Sequence, residues 1–439
     1  MRRHIGLALV CLASTGASAI AQEPGVPAGF PGDFARRAAG HVASLARLGP
    51  RLAGSAGERD AAGYVRDRLA ALGLDVRIEP FEFEAFVVER AELTLCGARV
   101  GPRVVGFNPY QGDLSYDSEP MFVRPDISGD ELGRLDLRGR LVVTADPAPY
   151  FVLMFARPRA IAYLDAEEYA AVATRRCAVG RLQVMGTLER YASANVVGSL
   201  GSRDRDAREI IISAHYDSYR RSPGADDNAS GVGVLIELAR YLAAADGEPG
   251  LRVKFVAFGA EEMGVVGSRA YLDAHREEVR RCELLLNLDQ VGGPRGPYVE
   301  MTGGVTGLPD STGTNRFPSY LRNRALEGMD GRWRLVDQSV LGLLAVSNRP
   351  PWLVDLIAGS AAALGHEVVP TGSLGSDQLV FTQAGVVATG IGTSGNVYHG
   401  PQDVPGQVVA DQLGVVGRLA ATIVRGAMER HRREQADRH

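Results

Sequence analysis

Apolar residues first recur three and four apart between 33 and 48, the spacing that lines one face of an α-helix. Asp33 is placed to cap that helix, and Gly49-Pro50 ends it. A second helix is predicted over 58–72, stopped by Gly73. From 74 to 83 the pattern turns to alternation, through Val76, Ile78, Phe81 and Phe83, and predicts a strand. Between 86 and 190 neither period holds. Turn residues such as Asn108-Pro109 and Ser128-Gly129-Asp130 separate short β-like runs at 89–95 and 140–143, while 154–184 follows no period. This predicts a β-rich insert over 86–189. A strand pattern returns at 194–198. Four apolar runs follow at 209–213, 253–258, 284–288 and 386–391, with helical stretches at 231–244, 265–279 and 352–364. Strands alternating with helices predict an α/β fold with a mostly parallel central sheet flanked by helices. Residues 292–350, rich in Gly, Pro, Thr and Arg, interrupt the rhythm and read as a long loop near a site mouth.

Length, charge, the N-terminus and the cysteines add to this. At 439 residues the chain is long enough for one large domain or two ordinary ones. Its net charge of -4 argues against a general nucleic-acid binder. Arg2-Arg3, the short apolar region 5–13 and Ala19-Ile20-Ala21 make residues 1–21 a cleavable secretory signal, too short for a good membrane span. The mature protein is therefore expected to be secreted or periplasmic, with no membrane span. Beyond the signal, Cys96, Cys177 and Cys282 leave at least one thiol unpaired; Cys96 and Cys177 could pair within the insert.

Each of the four apolar runs leads to residues that can bind a metal. Residues 209–213 lead to His215, in Ser213-Ala214-His215-Tyr216-Asp217-Ser218, and Asp227 lies twelve residues further on, in Gly224-Ala225-Asp226-Asp227-Asn228-Ala229-Ser230-Gly231. The other runs lead to Glu261-Glu262, to Asp289 and to His399. The carboxyl edge of an open α/β sheet is where ligands bind. His215, Asp227, Glu262, Asp289 and His399 supply nitrogen and oxygen but no thiolate, which suits zinc. Five ligands exceed the three that one tetrahedral catalytic ion takes. They suit two ions, set about 3.5–4 Å apart, if one carboxylate bridges. Asp227, in its tight turn, is the natural bridge. Of Glu261 and Glu262, one can ligate while the other moves a proton from water to a leaving amine. The residues alone do not say which.

Taken together, His215-x-Asp217-Ser218, the 224–231 turn, Phe258-Gly259-Ala260-Glu261-Glu262-Met263-Gly264, Asn287-Leu288-Asp289 and Tyr398-His399 resemble the co-catalytic zinc aminopeptidases, metallopeptidase family twenty-eight. That family also holds glutamate carboxypeptidases and glutaminyl cyclases. The resemblance implies a peptidase domain over 33–85 and 190–430, two zinc ions per chain and a peptide substrate. It implies that His215 and Asp289 bind one ion, Glu262 and His399 the other, and that Asp227 bridges. Glu261 would be the general acid/base, Asp217 would orient His215, and Tyr398 would help hold the oxyanion. It also implies that the insert is a protease-associated domain, with 135–143 as its typical strand. Two positions depart from the family pattern: Gln378 stands where many members have histidine, and Gly400-Pro401 follows His399 where threonine is more common. A carboxypeptidase or cyclase on the same fold, and a non-catalytic receptor-like protein, are the alternatives. The Asp227-Asn228 turn argues against a cyclase, and the intact ligand set argues against a receptor.

Overall fold

Three of the four apolar runs are strands with both faces covered. Ile210 and Ile212 enter one core and Ile211 another. Phe255 and Ala257 alternate in the same way with Val256 and Phe258, and Leu284 and Leu286 with Leu285. Side chains on a strand alternate between faces, so a strand buried on both sides is apolar at successive positions. The structure, a computed structural model, describes residues 26–437 except 108–113, 146–152, 154–157, 246–249, 306–322, 328–332, 338–348, 397–398 and the single positions 102, 128, 133, 176, 220 and 374. The expected signal, 1–21, lies outside the described residues.

Eight strands build the half of the sheet that carries the site: β1 (Asp75–Leu95), β2 (Gly180–Gly201), β3 (Arg208–His215), β4 (Leu251–Phe258), β5 (Cys282–Leu288), β6 (Arg295–Val305), β7 (Val369–Ser373) and β8 (Ala388–Ser394). Their order across the sheet is β7-β6-β8-β5-β3-β4-β2-β1. The predicted parallel arrangement holds at the centre, where β8, β5, β3 and β4 run parallel, and between β6 and β7 at one edge. On either side the pairing turns antiparallel, β4 with β2, β2 with β1, and β6 with β8. The sheet is therefore mixed, not mostly parallel. The main reason is the length of β1 and β2, which pair antiparallel from Asp75↔Ser199 to Leu95↔Gly180. The expected boundaries at 85/86 and 189/190 fall inside these two strands, and the sheet continues through Trp333–Asp337 and Asn323–Glu327 to the strands of the 103–164 region. Residues 292–350 are thus not one loop: they supply β6 and a hairpin paired to β1.

Helices cover both faces. α1 (Phe34–Ala46), α3 (Gly231–Ala243), α5 (Pro351–Ala363) and α7 (Ala410–Ala436) send Phe34, Leu238, Ile357 and Val424 into the first core. α4 (Val266–Ala274) and α6 (Gln378–Gln383) send Tyr271 and Phe381 into the second. The single helix expected over 265–279 is broken at His275. Asp33 does not cap α1; its carboxylate pairs with Arg36 and Arg37 instead. α2 (Ala56–Ala70) is capped at Ser55, whose Oγ accepts from the Glu58 N–H at 3.2 Å, while Glu58 Oε2 reaches back to the Gly54 N–H at 2.6 Å. A third apolar cluster draws only on residues between 88 and 184, with Leu93, Leu141 and Leu182 at its centre. Cys96 and Cys177 form a disulfide beside it, and Cys282 is free. Among the described residues no helix is long and apolar enough to cross a membrane.

Candidate metal centre

The four central strands deliver their polar residues to one edge. His215 is the last residue of β3, Glu261-Glu262 follow β4, Asp289 follows β5, and His399 lies beyond β8. Asp227 comes from the turn that links β3 to α3. Gly224 makes that turn possible: its φ is +61°, and a Cβ there would stand 2.7 Å from the Asp227 carbonyl and 2.5 Å from Ser218 Cβ.

All five predicted ligands converge. His215 Nε2 lies 3.2 Å from Asp227 Oδ1 and 3.4 Å from Asp289 Oδ1. His399 Nε2 lies 3.1 Å from Asp227 Oδ2 and 3.1 Å from Glu262 Oε2. Two groups of three donors result, His215/Asp227/Asp289 and Asp227/Glu262/His399, each with its donor atoms within 4.8 Å of one another. Asp227 belongs to both and gives one oxygen to each. Two of these atoms, His215 Nε2 and Asp289 Oδ1, are buried without a hydrogen-bond partner, as is the second carboxylate oxygen of Glu262, Oε1. Buried polar atoms are rarely left unsatisfied, because each costs about 1–3 kcal/mol. One nitrogen and two oxygens per group, with unused lone pairs facing inward, could hold a zinc ion and leave a position open.

Asp217 organises the neighbours of these donors. Its Oδ1 accepts from the Glu261 N–H and its Oδ2 from the Glu262 N–H, both at 3.1 Å, and Oδ1 lies 3.4 Å from His215 Nδ1. One buried carboxylate thus fixes the turn that carries both glutamates and lies beside the ring of His215. Glu261 lies outside both donor groups, with its carboxylate buried. Tyr398 lies outside the described residues.

The electrostatics follow from the crowding of acids. Burial works against protonation of His215, but Asp289, Glu261, Asp217 and Asp227 outweigh it and raise its pKa well above the usual value. His399 is raised in the same way, chiefly by Glu262 and Asp227 acting against burial. Burial would raise Asp227, yet its contacts with both imidazoles hold it below the usual carboxylate range. Glu261 is pushed well above that range by burial, opposed by His215 and reinforced by Asp377, Glu262 and Asp289.

Four further residues support the site without being legible in the sequence. Arg51 is fully buried, and its guanidinium donates to the carbonyls of Tyr216 (2.7 Å), Pro223 (2.5 Å) and Gly224 (2.9 Å). Asp403 accepts from the backbone N–H groups of Asp226 (2.7 Å) and Asp227 (3.1 Å). Glu58, raised to about 8 by burial and by Asp217, accepts from Ser193 Oγ at 2.6 Å. The Tyr219 ring stacks on His399 at 4.7 Å between centroids. Asp226 is a turn group, receiving the Gly292 N–H (2.7 Å) and Asn396 Nδ2 (2.9 Å). Asn228, the head of a formal glycosylation sequon, is buried, with its amide bonded to the Leu288 carbonyl and the Gly231 N–H.

Comparison with known proteins bears out the resemblance. The model of peptidase family M28 matches residues 195–314. Aminopeptidase YwaD of Bacillus subtilis is 28% identical over 280 residues, 56% of this chain and 59% of that protein. An aminopeptidase of Pseudomonas aeruginosa is 36% identical over 122 residues, 26% of this chain and 22% of that one. The chain thus spans less than two thirds of the length of these curated relatives. Among solved structures, an aminopeptidase from Aneurinibacillus sp. strain AM-1 superposes with a TM-score of 0.61 at 20% identity, covering 90% of this chain and 93% of its own. BSAP, a zinc aminopeptidase from Bacillus subtilis, gives 0.60 at 20% identity over 90% and 94%. At that identity the two structures establish a common fold.

Proposed function

We propose, on the premise that residues 195–314 are a segment of peptidase family M28, that this chain is an exported di-zinc aminopeptidase that releases N-terminal residues from peptides. One observation carries the reading: the Asp227 carboxylate is divided, Oδ1 beside His215 and Asp289, Oδ2 beside Glu262 and His399. A carboxylate serving a single ion would not need a set of donors at each oxygen. We read residues 33–85 and 190–430 as the peptidase domain, 86–189 as a protease-associated-like insert and 1–21 as the signal that exports it.

Zinc, when bound, polarises the scissile carbonyl, acidifies water and offsets the carboxylates that raise Glu261. Glu261 takes the proton of the attacking water and returns it to the departing amine. Its exclusion from both donor groups leaves its carboxylate free to move that proton. Asp217 keeps Glu261 and Glu262 in register through their N–H groups, so that one ligates while the other stays mobile. Tyr398 donates to the oxygen of the tetrahedral adduct.

Aminoacyl chromogenic substrates and N-blocked peptides, assayed with and without chelator, test the reading. Free-amine substrates are expected to be cleaved, chelator to abolish cleavage, and metal analysis to give two zinc ions per chain. Glu261→Ala is expected to lose about 10²–10⁴-fold in kcat with its zinc retained. Full activity in that variant removes Glu261 from the mechanism, and cleavage confined to blocked substrates removes the aminopeptidase assignment.

A further inference from the structure

A second polar site lies at the opposite end of the central strands and does not depend on the zinc chemistry. From Arg252, near the start of β4, to Phe258, just before the Glu261-Glu262 turn, the strand advances about 20 Å. Arg252 and Lys254, with Asp75, Arg77 and Glu79 of β1, line an open groove of about 900 Å³. The 202–206 loop, Arg281 and the segment holding His275, Glu277 and Glu278 contribute to its remaining wall.

Most acids of this groove already have cationic partners. Asp75 faces Arg77 at 3.6 Å, and Glu79 holds His275 at 2.8 Å. Glu278 pairs with Lys254 and with His275. Glu277 pairs with Arg280 at 2.9 Å. The buried Glu209 beneath takes Arg252 at 3.0 Å and Lys254 at 3.1 Å. Among the described residues, Arg203, Arg205 and Arg281 have no acidic partner, and Asp206 is the one lining acid without a cationic one. Three guanidiniums are left over against one carboxylate.

The loop that presents two of them is held by its backbone. Arg252 donates Nε to the Ser202 carbonyl at 2.9 Å and Nη2 to the Asp204 carbonyl. Arg281 Nη2 donates to the Arg205 carbonyl at 2.7 Å. Asp204 Oδ1 accepts from the Asp206 N–H at 3.0 Å. Arg203 and Arg205 therefore extend into solvent from a fixed platform, which lowers the ordering cost of engaging a ligand.

We propose that this groove binds a ligand carrying several phosphate or sulfate groups, held by Arg203, Arg205 and Arg281. The planar guanidinium fork matches tetrahedral oxyanions bidentately. A charged cleft between low-dielectric walls concentrates such ions. The volume is that of a site for a sugar- or nucleotide-sized molecule.

Isothermal titration of the zinc-loaded protein with inositol hexakisphosphate and with sucrose octasulfate, at fixed ionic strength, tests the site. The two probes separate a phosphate ligand from a sulfate ligand. Saturable one-to-one binding of at least one is expected, weakened about tenfold or more in the Arg203→Ala/Arg205→Ala double variant, whose melting temperature stays that of the wild type. A metal-centred mode would persist in that variant, because its zinc ligands are intact. Binding that survives the double substitution overturns the proposal. So does the absence of saturable binding by both probes, or loss of the signal when chloride is raised only to the ionic strength of the probe.

Discussion

Arg51→Ala is expected to destabilise the protein and to weaken its hold on zinc. The side chain is wholly buried, and its three hydrogen bonds all end on carbonyls between Tyr216 and Gly224. Its backbone N–H also donates to Ser218 Oγ at 2.9 Å, but that bond survives the substitution. Truncation leaves three carbonyls facing a cavity. Unsatisfied buried acceptors cost about 1–3 kcal/mol each, so a loss of about 3–6 kcal/mol is expected even with partial relaxation. Burial of the charge itself works in the other direction, since it lowers the guanidinium pKa to about 10 against the pull of Asp217, Asp403, Asp227 and Glu262, and it moves the expected loss toward the lower end of that range. The segment Arg51 gathers is the one that joins His215 to Asp227, so loosening it separates two donors of one group. Outer-sphere partners of this kind set metal affinity within about 10–100-fold. Urea unfolding of the zinc-loaded protein and competition for zinc with a chelating dye measure both effects. Arg51→Lys, with one donor group where three carbonyls wait, is expected to fall between wild type and Arg51→Ala on each scale. A destabilisation under about 1 kcal/mol together with unchanged zinc affinity in Arg51→Ala would refute the reasoning.

Asp217→Asn keeps the volume but puts an N–H₂ where one backbone N–H now donates; kcat and zinc retention are expected to fall about 10–100-fold, read by steady-state kinetics and metal analysis. Glu58 has its pKa raised to about 8 by burial and by Asp217, from 4.5, so in the metal-free protein its contribution to stability is complete below about pH 4.5 and is lost as pH rises through about 8. Glu58→Gln should flatten that part of the stability–pH curve, and an unchanged curve counts against the assignment. Reducing Cys96–Cys177 opens a loop with a sequence separation of 81 residues, worth about 4–5 kcal/mol of chain entropy; reductant is expected to lower the melting temperature of wild type and leave a Cys96→Ser/Cys177→Ser variant unmoved.

The convergence of the candidate donors was legible because four of them follow apolar runs, which are easy to see when both faces of a strand are buried, while Asp227 was marked by its Gly- and Asn-rich turn. Arg51 carried no comparable signal: it is one arginine in a loop of an arginine-rich chain, and only the fold brings the carbonyls to it. Tyr219 and Asp403 were hidden for the same reason, being four residues from His215 and His399 with no motif to mark them. The mixed sheet was missed because β1 and β2 lie partly in solvent. They pair with each other across about a hundred residues of sequence, which no local pattern in 86–190 displays. β6 was missed because a segment opening on Gly292-Gly293-Pro294 and holding Pro297 reads as loop, although it pairs with both β7 and β8.

Gln378, where the sequence resemblance leads one to expect histidine, is fully engaged in hydrogen bonds. Its Nε2 donates to Glu300 Oε1 at 2.7 Å, and its Oε1 accepts from Asn287 Nδ2 at 2.9 Å. Asn287 in turn accepts from Ser213 Oγ at 2.7 Å, two residues before His215. Glu300 also binds Arg349 and, through its carbonyl, Thr389 Oγ1. A polar chain thus crosses the interior from β3 through β5 to β6, directly behind the metal donors. An amide offers one donor and one acceptor along this line, as a neutral imidazole does with its two nitrogens. The glutamine can therefore occupy a position where histidine is common and still satisfy both neighbours. The same bonds account for the buried charge of Glu300, which would otherwise be costly in the sheet. The substitution acts on the scaffold behind Asp289, and the donor set is left as the strand ends arrange it.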